Sequence, residues 1–254
     1  MSDITVLTNL YSKTSKHSNY QKLPVALRQY LNEDLLQIKS RYEEERLAYI
    51  LKNVDINNKT ILDIGANTGF FSFELIRNGA KSVNAYEGNK NHADFIRYAA
   101  EFIKMDKNLI IYNSYFDFLN IPQEYNYDIV LLLNVLHHIG DDYGNSSITL
   151  KIAKNSILES INAFSGKTDI LILQLGFNWQ GDRNKPLFSK GTKQEMVEFL
   201  SEGIYKQWNI IKTGIPVLVK NKIEYRDIDE KNIERMDSLG EFLNRPLFIL
   251  KAIG

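Results

Sequence analysis

One stretch of the sequence decides the fold. Lys59–Ser72 reads KTILDIGANTGFFS, and its first part, Thr60–Ile64, is the short β-branched and apolar run typical of a strand buried on both faces. A loop that contains Gly65 and Gly69 follows, and the apolar segment Phe70–Ile76 predicts a helix directly after it. Glycines let a ligand approach the backbone closely, and free amides at a helix N-terminus point toward it. The stretch therefore predicts a cradle for a nucleotide-like ligand.

The loop in this cradle differs from the loops that bind dinucleotides. Those read G-x-G-x-x-G, whereas here the order is Asp63-x-Gly65-x-Asn67-x-Gly69. Asp63 ends the strand, where a carboxylate can organise the loop amides or meet a ligand cation. Asn67 stands where a middle glycine is usual, and Asn tolerates the left-handed backbone conformation better than other non-glycine residues. The loop therefore suits a zwitterionic ligand without phosphates better than a dinucleotide.

Composition limits the class of protein. The chain has 254 residues, of which 44% are hydrophobic, with 31 basic and 31 acidic residues and no cysteine. This length allows one α/β domain and an appendage. Zero net charge disfavours a nucleic-acid binder, and the lack of cysteine excludes disulfides, thiolate metal sites and a cysteine nucleophile. The polar segment Met1–Ser18 lacks the apolar core of a signal peptide, and no run has the length of a membrane span. We expect a cytoplasmic protein with no membrane span and no nucleic-acid partner.

The residues before the first core strand predict a helical lid or cap over positions 1–58. Leu23–Tyr30 is read as a short helix and Leu35–Lys52 as a longer one, because apolar residues recur there at helical spacing. The polar run Lys13–Gln21 carries two lysines, a histidine and a tyrosine. It is either a solvated arm or a part of the lid that meets a ligand.

The second predicted strand, Ser82–Tyr86, ends at an acidic residue. Glu87 and Gly88 follow this strand, about twenty residues after the loop, which is where a carboxylate holds the diol of a ribose. The two acceptor oxygens of a carboxylate match two hydroxyl donors. The other reading, a solvated loop glutamate, fits this spacing less well.

Two histidines follow the fourth predicted strand, Tyr127–Leu133. Ligands bind outside the carboxyl ends of parallel strands, so Asn134, His137 and His138 are expected at a ligand. A lone histidine is usually structural, but two in succession, in a chain with only four, indicate a functional role for at least one. After the fifth predicted strand comes a polar and aromatic loop, Gly176–Lys185, of the kind that selects a substrate.

The remaining strands complete the fold prediction. Trp208–Lys212 and Leu247–Ile253 are read as the sixth and seventh strands, with a charged and irregular excursion over residues 215–245 between them. The prediction is an α/β, Rossmann-like fold: a seven-stranded, mostly parallel sheet with helices on both faces and an N-terminal helical lid.

With the loop, the ribose acid and the histidine pair in this order, residues 59–180 resemble the core of class I S-adenosylmethionine (AdoMet) methyltransferases. A more specific pattern is similar to the methyltransferase domain of bacterial O-antigen chain-terminating enzymes, which methylate a phosphoryl group at a glycan end. It is carried by Asn19–Gln21, Arg41, Arg46–Leu47, Gly69–Ser72, His137–Ile139 and Arg245–Pro246. The resemblance implies a methyltransferase domain over residues 59–254, a lid over 1–58 and AdoMet as the cofactor.

The resemblance also implies residue roles. The expected cofactor-binding residues are Tyr20, Gln21, Arg46, Asp63, Gly65, Asn67, Gly69, Phe71, Glu87, Gly88, Ser114, Tyr115 and Asn134, with the guanidinium of Arg46 on the AdoMet carboxylate. The expected substrate-binding residues are Lys16, His17, Arg41, Trp179, Arg183 and Lys185. The catalytic candidates are His137 and His138, and no metal is expected. For the two helix arginines, the other reading is surface charge beside the acidic run Glu43–Glu45.

The methyl group of AdoMet is already activated, so the main task of such an enzyme is alignment, which supplies roughly 7–11 kcal/mol. A sugar hydroxyl also needs a base such as His137 or His138, whereas a phosphoryl oxygen is already anionic and needs positive neighbours. We therefore expect an O-methyltransferase of capsule or lipopolysaccharide biosynthesis. Its acceptor would be a glycan precursor with a phosphoryl or phosphoramidate oxygen, or a sugar hydroxyl. The alternatives are a methyltransferase of a small metabolite, quinone or tRNA nucleoside, and a non-catalytic AdoMet binder, which the intact Gly65, Gly69 and Glu87 disfavour.

Overall fold

A computed structural model describes residues 3–13, 20–144 and 146–253. Lys16 and His17, expected at the substrate, lie outside these ranges. The described residues form two compact units, the first ending at Phe116 and the second beginning at Asp117. None of the described helices combines the length and the apolar composition that crossing a membrane requires.

The first unit contains three parallel strands in the order β3-β2-β1. They are β1 (Thr60–Ile64), β2 (Ser82–Tyr86) and β3 (Leu109–Tyr112). Its helices are α1 (Asp3–Ser12), α2 (Glu43–Asn53), α3 (Phe70–Arg77) and α4 (Lys90–Phe102). The bounds predicted for β1 and β2 are confirmed. Ile64 pairs with Tyr86, and Tyr86 with Tyr112, so the three strands end at one edge. This register brings the residues after β1 and β2 to that same edge.

The helices predicted before β1 differ from those observed. α2 begins only at Glu43, because Gln37 and Tyr42 have positive φ angles that a helix does not allow. The Glu43 carboxylate fixes this start by accepting hydrogen bonds from Ser40 Oγ at 2.7 Å and from Arg41 N at 2.9 Å. Within the other predicted helix, only the 3-10 turn Val25–Leu27 forms. The expectation of a helical lid is thus not confirmed.

The second unit contains five strands in the order β4-β5-β8-β6-β7. They are β4 (Tyr127–Leu133), β5 (Thr168–Gln174), β6 (Trp208–Val219), β7 (Lys222–Asp227) and β8 (Leu247–Ala252), and its helices are α5 (Leu150–Asn162) and α6 (Lys193–Ile204). β4 and β5 are parallel, and the other pairs are antiparallel. The residues that form the core of these strands include Val130–Leu132, Leu171–Leu173 and Phe248–Leu250, all fully buried.

The described residues form eight strands, so the prediction of seven is wrong. The additional strand lies in the expected irregular excursion, where β6 and β7 form a hairpin. Ile223 and Tyr225 of β7 are buried and alternate with exposed charged residues. The charged residues that suggested an irregular segment therefore lie on the solvent-exposed face of a half-buried strand.

The connection from β7 to β8 has no long helix or strand but is tied down by cations. The Nζ of Lys193, a buried residue at the start of α6, donates to the carbonyl oxygens of Asn232 and Glu234 at 2.8 and 2.9 Å. Arg235 Nη1 donates to the carbonyl of Gly191 at 2.6 Å. Burial lowers the pKa of the Lys193 amine, the nearby Arg235 charge adds to this, and Glu234 opposes it.

Candidate functional site

The loop after β1 has the backbone that the sequence predicted. Gly65, Asn67 and Gly69 have φ angles of 76°, 55° and 82°. The amides of Gly65 and Ala66 donate to the carbonyl of Tyr86 at 2.9 and 3.1 Å, which holds the loop against the end of β2. A Cβ atom on Gly69 would lie 2.9 Å from Ile96 Cγ1. Only glycine therefore fits at this position.

Glu87 organises both sides of this cradle. Its Oε2 accepts a hydrogen bond from Asn67 N and its Oε1 from Asn89 N, each at 2.7 Å. The carboxylate is largely buried. Each carboxylate oxygen has about two acceptor sites, so both oxygens keep one for a ligand hydroxyl. The acceptor oxygens at this edge have the chemistry that binds the two hydroxyls of a diol.

Sequence reasoning missed two residues beside Glu87. Asn89 caps α4, since its side chain accepts hydrogen bonds from the amides of Asn91 and His92. His92 is buried, and its Nδ1 lies 3.8 Å from Glu87 Oε1. An Asn directly before a helix is a recognisable cap in the sequence. The position of His92 had no such signal.

Asp63 is fully enclosed at the end of β1. Its Oδ2 accepts a hydrogen bond from Ser72 Oγ on α3 at 2.6 Å. Burial raises the pKa of the Asp63 carboxyl to about 6, the hydrogen bond from Ser72 opposes this, and the Glu87 charge adds to it. The carboxyl therefore links β1 to the helix that follows the loop.

Gln21 closes the N-terminus of α3, which places this predicted residue at the loop. Its Oε1 accepts hydrogen bonds from Phe70 N at 3.0 Å and from Thr68 Oγ1 at 3.1 Å. Its own carbonyl accepts a hydrogen bond from the Tyr11 hydroxyl of α1 at 2.5 Å. The segment that contains Gln21 is therefore anchored both to the loop and to α1.

The two arginines of the predicted lid lie in different environments. Arg46 is buried, with Nη2 3.4 Å from Glu43 Oε1 and its guanidinium 4.9 Å from the centre of the Phe71 ring. The surface-charge reading is therefore wrong for Arg46. Arg41 lies over the ring of Tyr20 at 4.1 Å. Burial raises the pKa of the Tyr20 hydroxyl to about 12, against the opposing Arg41 charge.

The residues after β3 come close to the end of β2. The Tyr115 ring lies directly on Gly88, where a Cβ atom would be 2.4 Å from Tyr115 Cε1. Asn113 Nδ2 donates to the carbonyl of Glu87 at 3.0 Å. Ser114 is exposed, and half of the Tyr115 surface is accessible. The structure thus brings Tyr115 to Gly88, while Ser114 is left at the surface.

In the second unit, Asn134 directly follows β4 in the left-handed conformation, with φ at 64°. Its Nδ2 donates to Gln174 Oε1 at 2.9 Å, and its Oδ1 accepts from Arg245 Nη1 at 2.7 Å. Gln174, the last residue of β5, is fully buried and also donates to the Tyr225 hydroxyl at 3.3 Å. Sequence reasoning assigned Asn134 to the cofactor and missed this polar network.

The hydrogen bond that His137 accepts indicates which tautomer its neutral ring adopts. His137 is buried in the turn after β4, and its Nδ1 accepts a hydrogen bond from Gly176 N at 3.2 Å. The ring packs against Gly176, where a Cβ atom would lie 2.9 Å from His137 Cδ2. Because Nδ1 is the acceptor, the neutral ring carries its proton on Nε2. His137 is therefore a hydrogen-bond donor through Nε2.

His138 has acidic neighbours. Its Nδ1 lies 3.5 Å from Asp141 Oδ2 and 3.5 Å from Asp142 Oδ2, and its ring centre is 4.4 Å from that of His137. Among the described residues, these three side chains form a group whose ligand-type atoms all lie within 4.8 Å of one another. The same distances suit an imidazolium between two carboxylates, so the group by itself does not define a metal centre.

The loop after β5 is fastened to the turn that follows the histidines. Trp179 Nε1 donates to the carbonyl of Ile139, and Gln180 Nε2 to the carbonyl of Gly140, both at 2.6 Å. Lys185 Nζ donates to Gln180 Oε1 at 2.7 Å. Of the three predicted substrate residues in this loop, Trp179 is buried, whereas Arg183 and Lys185 are exposed.

Comparisons with known proteins add to this geometry. No protein-family model matches the chain. A tRNA U34 carboxymethyltransferase of Helicobacter acinonychis (strain Sheeba) is 23% identical over 104 residues. The match covers 41% of this chain and 40% of that protein, less than half the length of either.

Among solved structures, one of WbdD matches with a TM-score of 0.60 and 15% identity, over 97% of this chain and 40% of that one. The fold of this chain is therefore that of class I methyltransferases, which confirms the expectation from the sequence. A second matching structure, of the bifunctional kinase-methyltransferase WbdD, has a TM-score of 0.54 and 16% identity, over 96% of this chain and 46% of that one. WbdD is thus one of the proteins whose fold this chain resembles, and this chain spans less than half of those WbdD chains.

Proposed function

We propose that this chain is an AdoMet-dependent O-methyltransferase of surface-polysaccharide assembly, acting in the cytoplasm on a phosphoryl or phosphoramidate oxygen. The observation that carries the cofactor assignment is Glu87, whose two carboxylate oxygens bind the loop amide on one side and the α4 cap on the other. A carboxylate held in this way at the end of β2 is the element that a ribose diol requires.

The cofactor residues fit AdoMet by their chemistry. The left-handed positions Gly65, Asn67 and Gly69 keep side chains away from the ligand, and Arg46 supplies a buried guanidinium for a carboxylate. When bound, AdoMet supplies a methyl group on a sulfonium, which is already activated for transfer. The protein's own task is to hold the acceptor oxygen in line.

The tautomer of His137 supports an acceptor that is already ionised. Attack by a sugar hydroxyl requires a base with an open lone pair, but Nδ1 of His137 is occupied by Gly176 N–H and Nε2 carries a proton. A donor at Nε2 can instead bind an anionic phosphoryl oxygen by a charge-assisted hydrogen bond. A hydroxyl acceptor would put the base at His138, beside Asp141 and Asp142.

A second candidate function is methylation of a tRNA nucleoside. The observation that favours it is the sequence match to a tRNA U34 carboxymethyltransferase. Because of this match, a nucleic-acid substrate is not excluded, contrary to the expectation from the sequence. The balance of 31 basic and 31 acidic residues favours the glycan precursor over tRNA.

The proposal is tested first by binding and then by an acceptor panel. Calorimetry should show AdoMet binding to the purified chain. Transfer of a radiolabelled methyl group is then measured to a phosphorylated glycan, to its dephosphorylated form and to bulk tRNA. Methylation of the phosphorylated glycan alone is expected. Transfer to tRNA would replace this proposal with the second candidate, and transfer to the dephosphorylated glycan would identify a hydroxyl acceptor.

Two substitutions of His137 distinguish a role as hydrogen-bond donor from a role as general base. His137→Gln keeps an N–H donor near the position of Nε2, whereas His137→Asn keeps only an acceptor for Gly176 N. If His137 donates, the Gln variant should retain most of the turnover, and the Asn variant should lose about tenfold to a hundredfold, the value of a hydrogen bond to a charged group. A loss of about a hundredfold or more in both variants would identify a base. His138→Ala, assayed in parallel, should have the smaller effect.

A further inference from the structure

Arg245 links two segments that are far apart in the sequence. Its Nη1 donates to Asn134 Oδ1 at 2.7 Å, while Nη2 and Nε donate to the two carboxylate oxygens of Glu241 at 2.6 and 3.0 Å. Glu241 Oε1 also accepts a hydrogen bond from Phe177 N at 3.2 Å. The guanidinium is therefore tied to the end of β4 directly and to the loop after β5 through a carboxylate.

Both segments lie next to the ends of the hydrogen bond between Gly176 N and His137 Nδ1. Asn134 lies three residues before His137, and Phe177 follows Gly176, whose amide donates to His137 Nδ1. The backbone carbonyl of Arg245 also accepts a hydrogen bond from Gln174 Nε2 at 3.2 Å. A displacement of either segment would lengthen the hydrogen bond between Gly176 and His137.

The charges of this linkage are well compensated. Burial raises the pKa of the Glu241 carboxyl, but the Arg245 charge and hydrogen bonds outweigh it, so the pKa lies below its usual value. Arg245 itself is 8% exposed. A planar guanidinium can hold a carboxylate with two bonds and an amide oxygen with a third, which an ammonium group cannot do in one fixed geometry.

From these contacts we propose that Arg245 is a positioning residue: it holds Gly176 N on His137 Nδ1 and thereby fixes the tautomer and the orientation of the His137 ring. This inference rests on the proposed function for its effect on turnover. Its effect on the His137 tautomer is independent of any substrate.

The experiment compares three substitutions with a matched control. Arg245→Met removes the charge and all three hydrogen bonds at similar length, and Arg245→Lys keeps the charge. Glu241→Gln removes the carboxylate charge and one of the two acceptor oxygens that bind Arg245 and Phe177 N. The control is Arg226→Met, an arginine of the same unit with a 55% exposed side chain, paired with Glu224. For each protein the ring 15N shifts of the four histidines are recorded, with His137 assigned by His137→Gln. Turnover, AdoMet affinity and the thermal midpoint are measured in parallel.

We expect the wild type and Arg226→Met to show Nδ1 of His137 unprotonated and Nε2 protonated. In Arg245→Met the two tautomers should mix, and turnover should fall by about tenfold to a hundredfold, as for a misplaced catalytic group, with AdoMet affinity unchanged. Arg245→Lys and Glu241→Gln should show tautomer populations and turnover between those of the wild type and Arg245→Met.

An unchanged His137 tautomer in folded Arg245→Met would overturn the inference, even if the thermal midpoint fell. If that variant does not fold, Glu241→Gln decides: a shifted tautomer supports the role of Arg245, and an unshifted one refutes it. Failure of the wild type to bind AdoMet or to methylate any acceptor would instead refute the proposed function, and the 15N measurement would still test the positioning role.

Discussion

The cradle of the first unit and the polar network of the second are assembled in opposite ways. The core of the cradle lies in one continuous stretch, from Asp63 to His92, whose hydrogen bonds join neighbouring loops, and Gln21 adds a contact from outside this stretch. The network joins Asn134, Gln174 and Arg245, which are up to 111 positions apart in the sequence. Residue type at fixed spacing therefore specifies the cradle, whereas only the folded chain brings the network together.

The largest effect that would test this view of the cradle is expected from Gly69→Ala. Both Gly69 and Gly166 have positive φ angles, but a Cβ atom on Gly69 meets Ile96 at 2.9 Å and one on Gly166 meets nothing within 4 Å. Each alanine should cost about 1–2 kcal/mol for the left-handed conformation, and Gly69→Ala about 1–3 kcal/mol more for overpacking. Chemical denaturation measures the loss of stability in each variant, and calorimetry measures its affinity for AdoMet.

Gly166→Ala should leave AdoMet affinity unchanged, because Gly166 has no part in the cradle. Equal losses of stability in the two variants would mean that the space around Gly69 adjusts freely, and the packing of the cradle would then not require glycine at this position.

The same contrast explains what could be predicted from the sequence. Thr60–Ile64 was found because a buried parallel strand is a continuous apolar run, and Glu87 because it lies at a fixed distance from the loop. β7 was missed because its exposed charges alternate with only two buried residues. Arg245 appeared in the resemblance to a family, but its partners Asn134 and Glu241 emerge only when β4 and the β8 connection are folded.

Asp63→Asn tests how completely the cradle excludes water from the Asp63 carboxyl, through the pH dependence of the unfolding free energy. The folded protein holds the Asp63 pKa at about 6, above the usual value of 3.8, so the unfolded chain releases this proton first. The stability that the protonated carboxyl provides is complete below about pH 4 and is lost as the pH rises toward 6. The unfolding free energy of Asp63→Asn, relative to wild type, should therefore increase by about 3 kcal/mol between pH 4 and 7.

Denaturant titrations at several pH values give this difference directly. Because all other groups are common to both proteins, their titration cancels. A difference that stays constant from pH 4 to 7 would show that water reaches Asp63 and that the end of β1 is more open than the hydrogen bond from Ser72 indicates.

Glu87→Gln has the smallest expected effect, since it keeps the shape and one acceptor oxygen. AdoMet affinity should fall by about 1–3 kcal/mol, the value of hydrogen bonds to a charged group. Glu101→Gln, at an exposed position of α4, is the control and should bind AdoMet like wild type. Calorimetry that finds equal affinities in both variants would remove the ribose role from Glu87 and, with it, the idea that the cradle is defined by its sequence spacing.

The enclosed amine of Lys193 has a consequence for reagents applied from outside. Acylating reagents attack only a neutral, accessible amine, and this one is held against the carbonyls of Asn232 and Glu234. In a labelling time course read by mass spectrometry, Lys193 should react only when the connection between β7 and β8 opens, while exposed lysines such as Lys190 react at once. The labelling rate of the Lys193 side chain would thus report how often the connection between β7 and β8 opens. Acylation of Lys193 would also remove the positive charge that holds this connection against α6.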